Sequence, residues 1–142
     1  MINKDRVLKL LVDLKDWKVE YINCIKEIEN CNNEIVKKIL LHSSRAYFLD
    51  FHILCEDYIS ILLKELNLYK ISISAIEGME IIEKNGMISK EFHDFYTVSR
   101  RFRNRLAHRY KLPSDDVLLS NLKDNFQLIG ELEESIKDLI AR

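Results

Sequence analysis

The chain has 142 residues, of which 47% are hydrophobic and 32% are charged. Three glycines and one proline leave few positions for the turns that an all-β protein needs, so the composition favours long helices. No apolar stretch approaches the roughly 20 residues of a membrane span, and the charged N-terminus does not resemble a signal peptide. We therefore predict one cytoplasmic domain spanning residues 1–142. The net charge of −1 does not indicate a nucleic-acid binder, so any such binding requires a local basic patch.

Apolar residues at helical spacing predict two long helices in the first half of the chain. The first covers about residues 3–29 and ends at the cluster Asn30-Cys31-Asn32-Asn33. The second covers about residues 33–66, since neither glycine nor proline interrupts it. A connector rich in serine and β-branched residues follows, over residues 68–74.

Three further helices are expected in the second half. Ser72 or Ser74 caps a short helix that ends near Asn85-Gly86, and Ser89 opens a helix over about residues 89–109. Pro113 and the capping cluster Ser114-Asp115-Asp116 precede a last helix over about residues 115–141. The expected fold is an all-α, antiparallel helical bundle of four main helices plus one short helix.

The densest chemical feature is a basic cluster at the end of the fourth predicted helix. Five of the eight arginines lie between residues 100 and 109. Charge alone favours a solvated basic helix end that complements the helix dipole. A functional site is the alternative, and helical geometry supports it.

At about 100° per residue, the predicted buried face of this helix carries Phe95, Ser99, Phe102 and Leu106. Arg103 lies beside that face, where its aliphatic stem is partly covered and its guanidinium is held in place. Asn104 and His108 are four residues apart, so we expect the amide to orient the imidazole. Arg101, Arg105 and His108 follow one line on the polar side.

A histidine among fixed cations suits cleavage of RNA. The 2′-hydroxyl of RNA supplies the nucleophile, so the protein needs a general base, an acid and positive charge for the phosphorane. Imidazole titrates near neutrality, and guanidinium binds two phosphate oxygens while staying charged. This route requires neither metal nor cofactor, and the cysteines and histidines show no metal-ligand spacing.

The spacing of Arg103, His108 and Tyr110 resembles the R-x4-H-x-Y motif of the HEPN superfamily, specifically of its HepT-like toxins. Asn104 matches the polar residue that usually follows the motif arginine. The resemblance also covers the length, the helix order, the Asn85-Gly86 turn and the stretch RNRLAHRY before the last helix.

The resemblance implies a HEPN-like bundle that forms a homodimer and brings two Arg–His pairs into one cleft. Arg103 and His108, supported by Asn104, would cut RNA without metal, and the chain would be the toxin of a type II toxin–antitoxin pair. The antitoxin would be a minimal nucleotidyltransferase that adenylylates Tyr110. The other cations of the cluster are expected to bind RNA: Arg100, Arg101, Arg105, Arg109 and Lys111.

Two other interpretations stay open. Related helical proteins act as the non-catalytic, nucleotide- or substrate-binding partner subunit of a nucleotidyltransferase, and a plain dimerisation module is the third possibility. Outside the cluster, the histidines at 42, 52 and 93 are expected to be structural or solvated, and the three cysteines to be reduced core or surface thiols. For Trp17 and the tyrosines at 21, 47, 58 and 69, core or dimer packing is favoured over the stacking of bases.

Overall fold

The computed structural model of the protein describes residues 2–108 and 112–142. Within these residues the chain forms six helices and no strand, so the predicted all-α bundle is confirmed. The helices are α1 (Lys4–Asn30), α2 (Glu34–Glu65), α3 (Ala75–Lys84), α4 (Lys90–Arg105), α5 (Asp115–Lys123) and α6 (Phe126–Ala141).

The asparagine cluster separates α1 from α2, as predicted. Cys31, directly after α1, has extended backbone angles that end the helix. Asn33 then caps α2, because its side-chain oxygen accepts hydrogen bonds from the backbone N–H groups of Ile35 and Val36, both at 3.0 Å. The same short segment therefore ends one helix and starts the next.

An aromatic cluster joins α1, α2 and α6 in the core. Trp17 and Tyr21 stack with ring centroids 5.0 Å apart, and Phe51 and Phe126 lie within 6.4 Å of the Trp17 ring. The Trp17 indole Nε1 donates a 2.8 Å hydrogen bond to the Tyr47 carbonyl, which satisfies its polar group. The core role predicted for Trp17 and Tyr21 is confirmed.

The short helix α3 packs closely on α2. Its cap is Ser74, whose hydroxyl accepts from the Glu77 N–H at 3.2 Å. A Cβ on Gly78 would lie 2.6 Å from Ile59 Cγ2, so glycine permits the close approach of α3 to α2. The helix ends before Gly86, which has a φ of 74°, a left-handed conformation that glycine adopts without steric cost.

The predicted last helix is wrong in one respect, because the chain forms α5 and α6 instead of one helix. Asn125 lies between them with non-helical backbone angles, and its side-chain amide donates to the Asn121 carbonyl at 2.8 Å. Asparagine offers the backbone such alternatives to helix. Since α5 packs on α2 whereas α6 packs on α1, a bend at this point lets each helix bury its apolar face.

Within the described ranges, none of the helices is long and apolar enough to cross a membrane.

Candidate active site at the end of the fourth helix

The start of α4 is fixed by Ser89 and Glu131. The Ser89 hydroxyl accepts from the Phe92 N–H at 3.0 Å and caps the helix. Glu131 of α6 accepts from both the Ser89 N–H and the Ser89 hydroxyl, each at 2.8 Å. The first turn of α4 is therefore bound to α6. This contact helps to position the C-terminal end of α4, which carries the basic cluster.

The buried face of α4 is the predicted one. Phe95 and Ser99 are buried, and Phe102 and Leu106 are partly buried against the core. Ser99 forms a hydrogen bond of 2.8 Å with Nε2 of His52 on α2. This buried polar contact fixes the rotation of α4 about its axis, since turning the helix would leave both groups unpaired.

His52 lies directly behind the basic cluster. Only 1% of it is exposed, and its Nδ1 has no hydrogen-bond partner among the described residues. Burial, with smaller contributions from the charges of Arg100 and Arg103, lowers the pKa of His52 to about 3. The charges of Arg100 and Arg103 thus both favour the neutral form of this ring.

Arg100 forms an ion pair with α2 and is largely buried, although the sequence predicted that it binds RNA. Its Nη1 lies 2.6 Å from Oε1 of Glu56, and only 13% of its side chain is exposed. The RNA contact predicted for Arg100 thus has to compete with an intramolecular carboxylate.

The remaining described members of the cluster are more accessible. Arg103 is half-buried, as predicted from its place beside the apolar face, while Arg101, Asn104 and Arg105 are exposed. The Arg105 guanidinium carbon lies 5.9 Å from the centroid of the Phe102 ring, within the range of a cation–π contact. Among these residues, Arg103 is therefore less exposed than Arg101 and Arg105.

The predicted end of this helix, near residue 109, is wrong. Regular α-helix ends at Arg105, and the N–H groups of Ala107 and His108 donate to carbonyls three residues earlier, those of Asn104 and Arg105, at 3.3 and 2.9 Å. Such tightening of the last turn is common at helix ends, where carbonyls lack intrahelical partners. His108 is exposed directly beyond the helix.

The early end changes the expected relation between His108 and its neighbours. The predicted stacking of Asn104 on His108, and the line from Arg101 through Arg105 to His108, both assume regular helix through residue 108. His108 instead follows a tighter turn, so helical spacing does not set the direction of its side chain. The Arg105 carbonyl nevertheless holds the backbone of His108 at the end of α4.

Three of the predicted residues lie outside the described residues. They are Arg109 and Lys111, predicted to bind RNA, and Tyr110, predicted to be adenylylated.

Arg45 of α2 contacts the start of α5. Its Nε donates to Oδ1 of Asp115 at 2.9 Å, and its Nη2 reaches the Pro113 carbonyl at 3.5 Å. Nδ1 of His42 lies 3.2 Å from the other Asp115 oxygen. These contacts tie Pro113 and the first turn of α5 to α2.

Sequence reasoning missed the part of the site that α2 contributes. Arg45, His52 and Glu56 are seven and four residues apart, so they share one face of α2, and each contacts α4 or the start of α5. The available signal was the spacing of these three residues, which places them on one side of α2.

The tyrosines predicted to pack in the core or in a dimer differ in their burial. Tyr58 is buried, as expected for a core residue, but Tyr69 lies in the connector between α2 and α3 and is 47% exposed. Tyr69 is therefore not a core residue of the single chain, and of the predicted core or dimer packing only packing in a dimer stays a prediction.

The described part of the site combines a positioned cation with an accessible imidazole at one helix end. This pairing can bind a phosphate and transfer protons. Among the described residues, no three His, Cys, Asp or Glu side chains converge in a way that could hold a metal ion.

Comparison with known proteins places the chain in a family. The model of the family described as Ribonuclease HepT-like matches residues 20–139, which include α2 to α5 and the whole basic cluster. No curated protein and no solved structure matches the chain. The family match covers far more than half of the 142 residues, and the chain belongs to the HepT-like ribonuclease family.

Proposed function

We propose that this protein is the toxin of a toxin–antitoxin pair and acts as a metal-independent endoribonuclease. The observation that carries the proposal is the end of α4, where half-buried Arg103 and exposed His108 flank a tightened helical turn. The chemistry of a guanidinium and an imidazole fits cleavage of an RNA phosphodiester.

In the proposed reaction the RNA 2′-oxygen attacks the adjacent phosphorus, and the bond from phosphorus to the 5′-oxygen breaks. His108 as general base takes the proton of the 2′-hydroxyl, while an acid protonates the departing 5′-oxygen. Arg103 binds the phosphoryl oxygens, whose negative charge grows in the transition state. The products are a 2′,3′-cyclic phosphate and a 5′-hydroxyl, and Asn104 supports the site from the last helical turn.

A homodimer supplies the second acid–base group in this proposal. Two copies that join residues 100–111 would bring two His108 side chains into one cleft, so one serves as base and the other as acid. Six cations from each copy would line the cleft and make RNA binding strongly dependent on salt, although the net charge of each chain is only −1. Exposed Arg101 and Arg105 are the described cations best placed to contact RNA phosphates.

Control of the toxin is proposed to act through Tyr110. A nucleotidyltransferase antitoxin would join the Tyr110 phenol oxygen to the α-phosphorus of ATP, with loss of pyrophosphate and of the phenol proton. The added AMP carries a negative charge two residues from His108, where it would compete with RNA phosphate for the arginines.

The decisive experiment is RNA cleavage by Arg103→Ala and His108→Ala proteins, with total RNA and tRNA as substrates. We expect each change to lower the rate by about 10²–10⁴-fold without changing helicity, because both side chains lie outside the buried face of α4. The matched control is Lys15→Ala, which removes an exposed cation on α1 and should leave cleavage unchanged.

Full activity of either variant would remove that residue from the mechanism. If wild-type protein binds nucleotides but neither cuts RNA nor arrests growth when expressed alone, the chain is instead a non-catalytic partner subunit of a nucleotidyltransferase.

A further inference from the structure

A pocket of about 240 Å³ opens on the α2 side of the basic cluster. It lies between the C-terminal half of α2, the connector to α3, and Arg100 of α4. This volume is slightly below the roughly 300–1,000 Å³ of sites that enclose drug-sized ligands, so it suits a single nucleobase. The wall carries apolar residues of α2 together with Glu56, Tyr69, Lys70 and Arg100.

The inner wall presents an oriented carboxylate. Oε1 of Glu56 accepts from Arg100, which fixes the direction of the carboxylate group. The Glu56 side chain is 41% exposed, so the carboxylate remains accessible to a further donor. A carboxylate held in this way is an acceptor-only group that recognises adjacent N–H donors.

The outer wall presents an aromatic ring and cations. Tyr69 is 47% exposed, and the Lys64 ammonium lies 4.9 Å from its ring centroid. Two backbone hydrogen bonds anchor the connector. The Leu68 N–H donates to the Leu63 carbonyl at 2.8 Å, and the Ile73 N–H donates to the Lys70 carbonyl at 3.1 Å. An exposed ring on an anchored segment, with lysines beside it, fits the stacking of a base and the binding of its phosphate.

Arg100 connects this pocket to the proposed catalytic centre. It lines the pocket and lies about one helical turn before Arg103 on α4. A strand whose phosphate is bound at Arg103 can therefore place a neighbouring nucleotide towards the pocket.

We propose that this pocket binds one guanine nucleotide of the RNA substrate, next to the phosphate that is cut. The base stacks on Tyr69, the Glu56 carboxylate accepts from the N1–H and N2–H₂ groups of guanine, and Lys70 pairs with a flanking phosphate. Guanine is the base whose Watson–Crick edge presents two adjacent donors, whereas adenine and the pyrimidines present an acceptor there. The inference rests on the proposed ribonuclease function and names a base preference for it.

The test measures binding separately from cleavage. Catalytically inactive His108→Ala protein is titrated with fluorescein-labelled RNA oligonucleotides that differ only in carrying guanosine, inosine or adenosine at one position. We expect guanosine RNA to bind most tightly, and inosine RNA, which lacks the N2 amine, to bind more weakly. Adding Tyr69→Ala should raise the Kd for guanosine RNA about 5- to 100-fold, as expected for loss of one stacked base.

Two control variants make the result specific. Tyr69→Phe keeps the ring and should change the Kd less than twofold, while Glu56→Gln should reduce the preference for guanosine over adenosine. Equal affinity for the three RNAs, or no effect of Tyr69→Ala, would overturn the proposal. Because cleavage by wild-type protein is scored in a separate assay, these failures are distinguishable from failure of the ribonuclease proposal.

Discussion

His52 makes the stability of this protein depend on pH. The ring titrates with a pKa of 6.5 when it is free in the unfolded chain, whereas burial and the nearby arginines lower its pKa to about 3 in the folded protein. The unfolded state therefore binds a proton more readily between these values. The stabilisation is fully present above pH 6.5 and is lost progressively as the pH falls towards 3.

The magnitude follows from the shift. Each pH unit in this window corresponds to about 1.4 kcal/mol, so between pH 7 and pH 5 this single ring should lower the free energy of unfolding by about 2 kcal/mol. His52→Gln removes the titrating group but keeps a side chain that can bond to Ser99. As the pH is lowered from 7 to 5, the wild type should therefore lose about 2 kcal/mol more of its free energy of unfolding than the variant does.

Urea denaturation followed by circular dichroism at 222 nm measures this difference at each pH. Ser99→Ala is the matched control: it breaks the 2.8 Å hydrogen bond but leaves the ring. It should lower stability by about 1–3 kcal/mol at every pH and retain the pH dependence of the wild type. Parallel stability profiles for wild type and His52→Gln would show that His52 is not held neutral by the fold.

Three further outcomes are expected. Arg45→Ala should lower the free energy of unfolding by about 1–3 kcal/mol in urea titrations, because Asp115 loses its guanidinium partner; equal stability of the variant would show that the link contributes nothing. RNA cleavage should survive EDTA and leave 2′,3′-cyclic phosphate ends in end-group analysis, and activity restored only by magnesium would contradict this. Tyr110→Phe should keep nuclease activity but show no AMP-sized mass increment after co-expression with the nucleotidyltransferase; an increment that persists would place the modification elsewhere.

The sequence by itself determined the helical class, most helix starts and the place of the basic cluster, because these depend on local patterns. Apolar spacing marks the buried face of each helix, so the burial of Ser99 and the partial burial of Phe102 followed from Phe95 and the 3.6-residue period. Asn33, Ser74, Ser89 and Ser114 all cap helices with their side chains, and capping depends on a few consecutive residues. Family membership likewise followed from a short motif in a helical context.

Only the tertiary structure decided where helices end early and what supports the site. The bend at Asn125 exists because α5 and α6 pack on different partners, which no local pattern records. The contacts of Ser99 with His52 and of Arg100 with Glu56 join residues 47 and 44 positions apart, and Asp115 lies 70 positions from Arg45. Helical periodicity reports which face of a helix is buried, but not which residue of another helix lies opposite. That choice depends on how α2, α4 and α5 pack together, and it turns Arg100 towards Glu56 while Arg101 faces solvent.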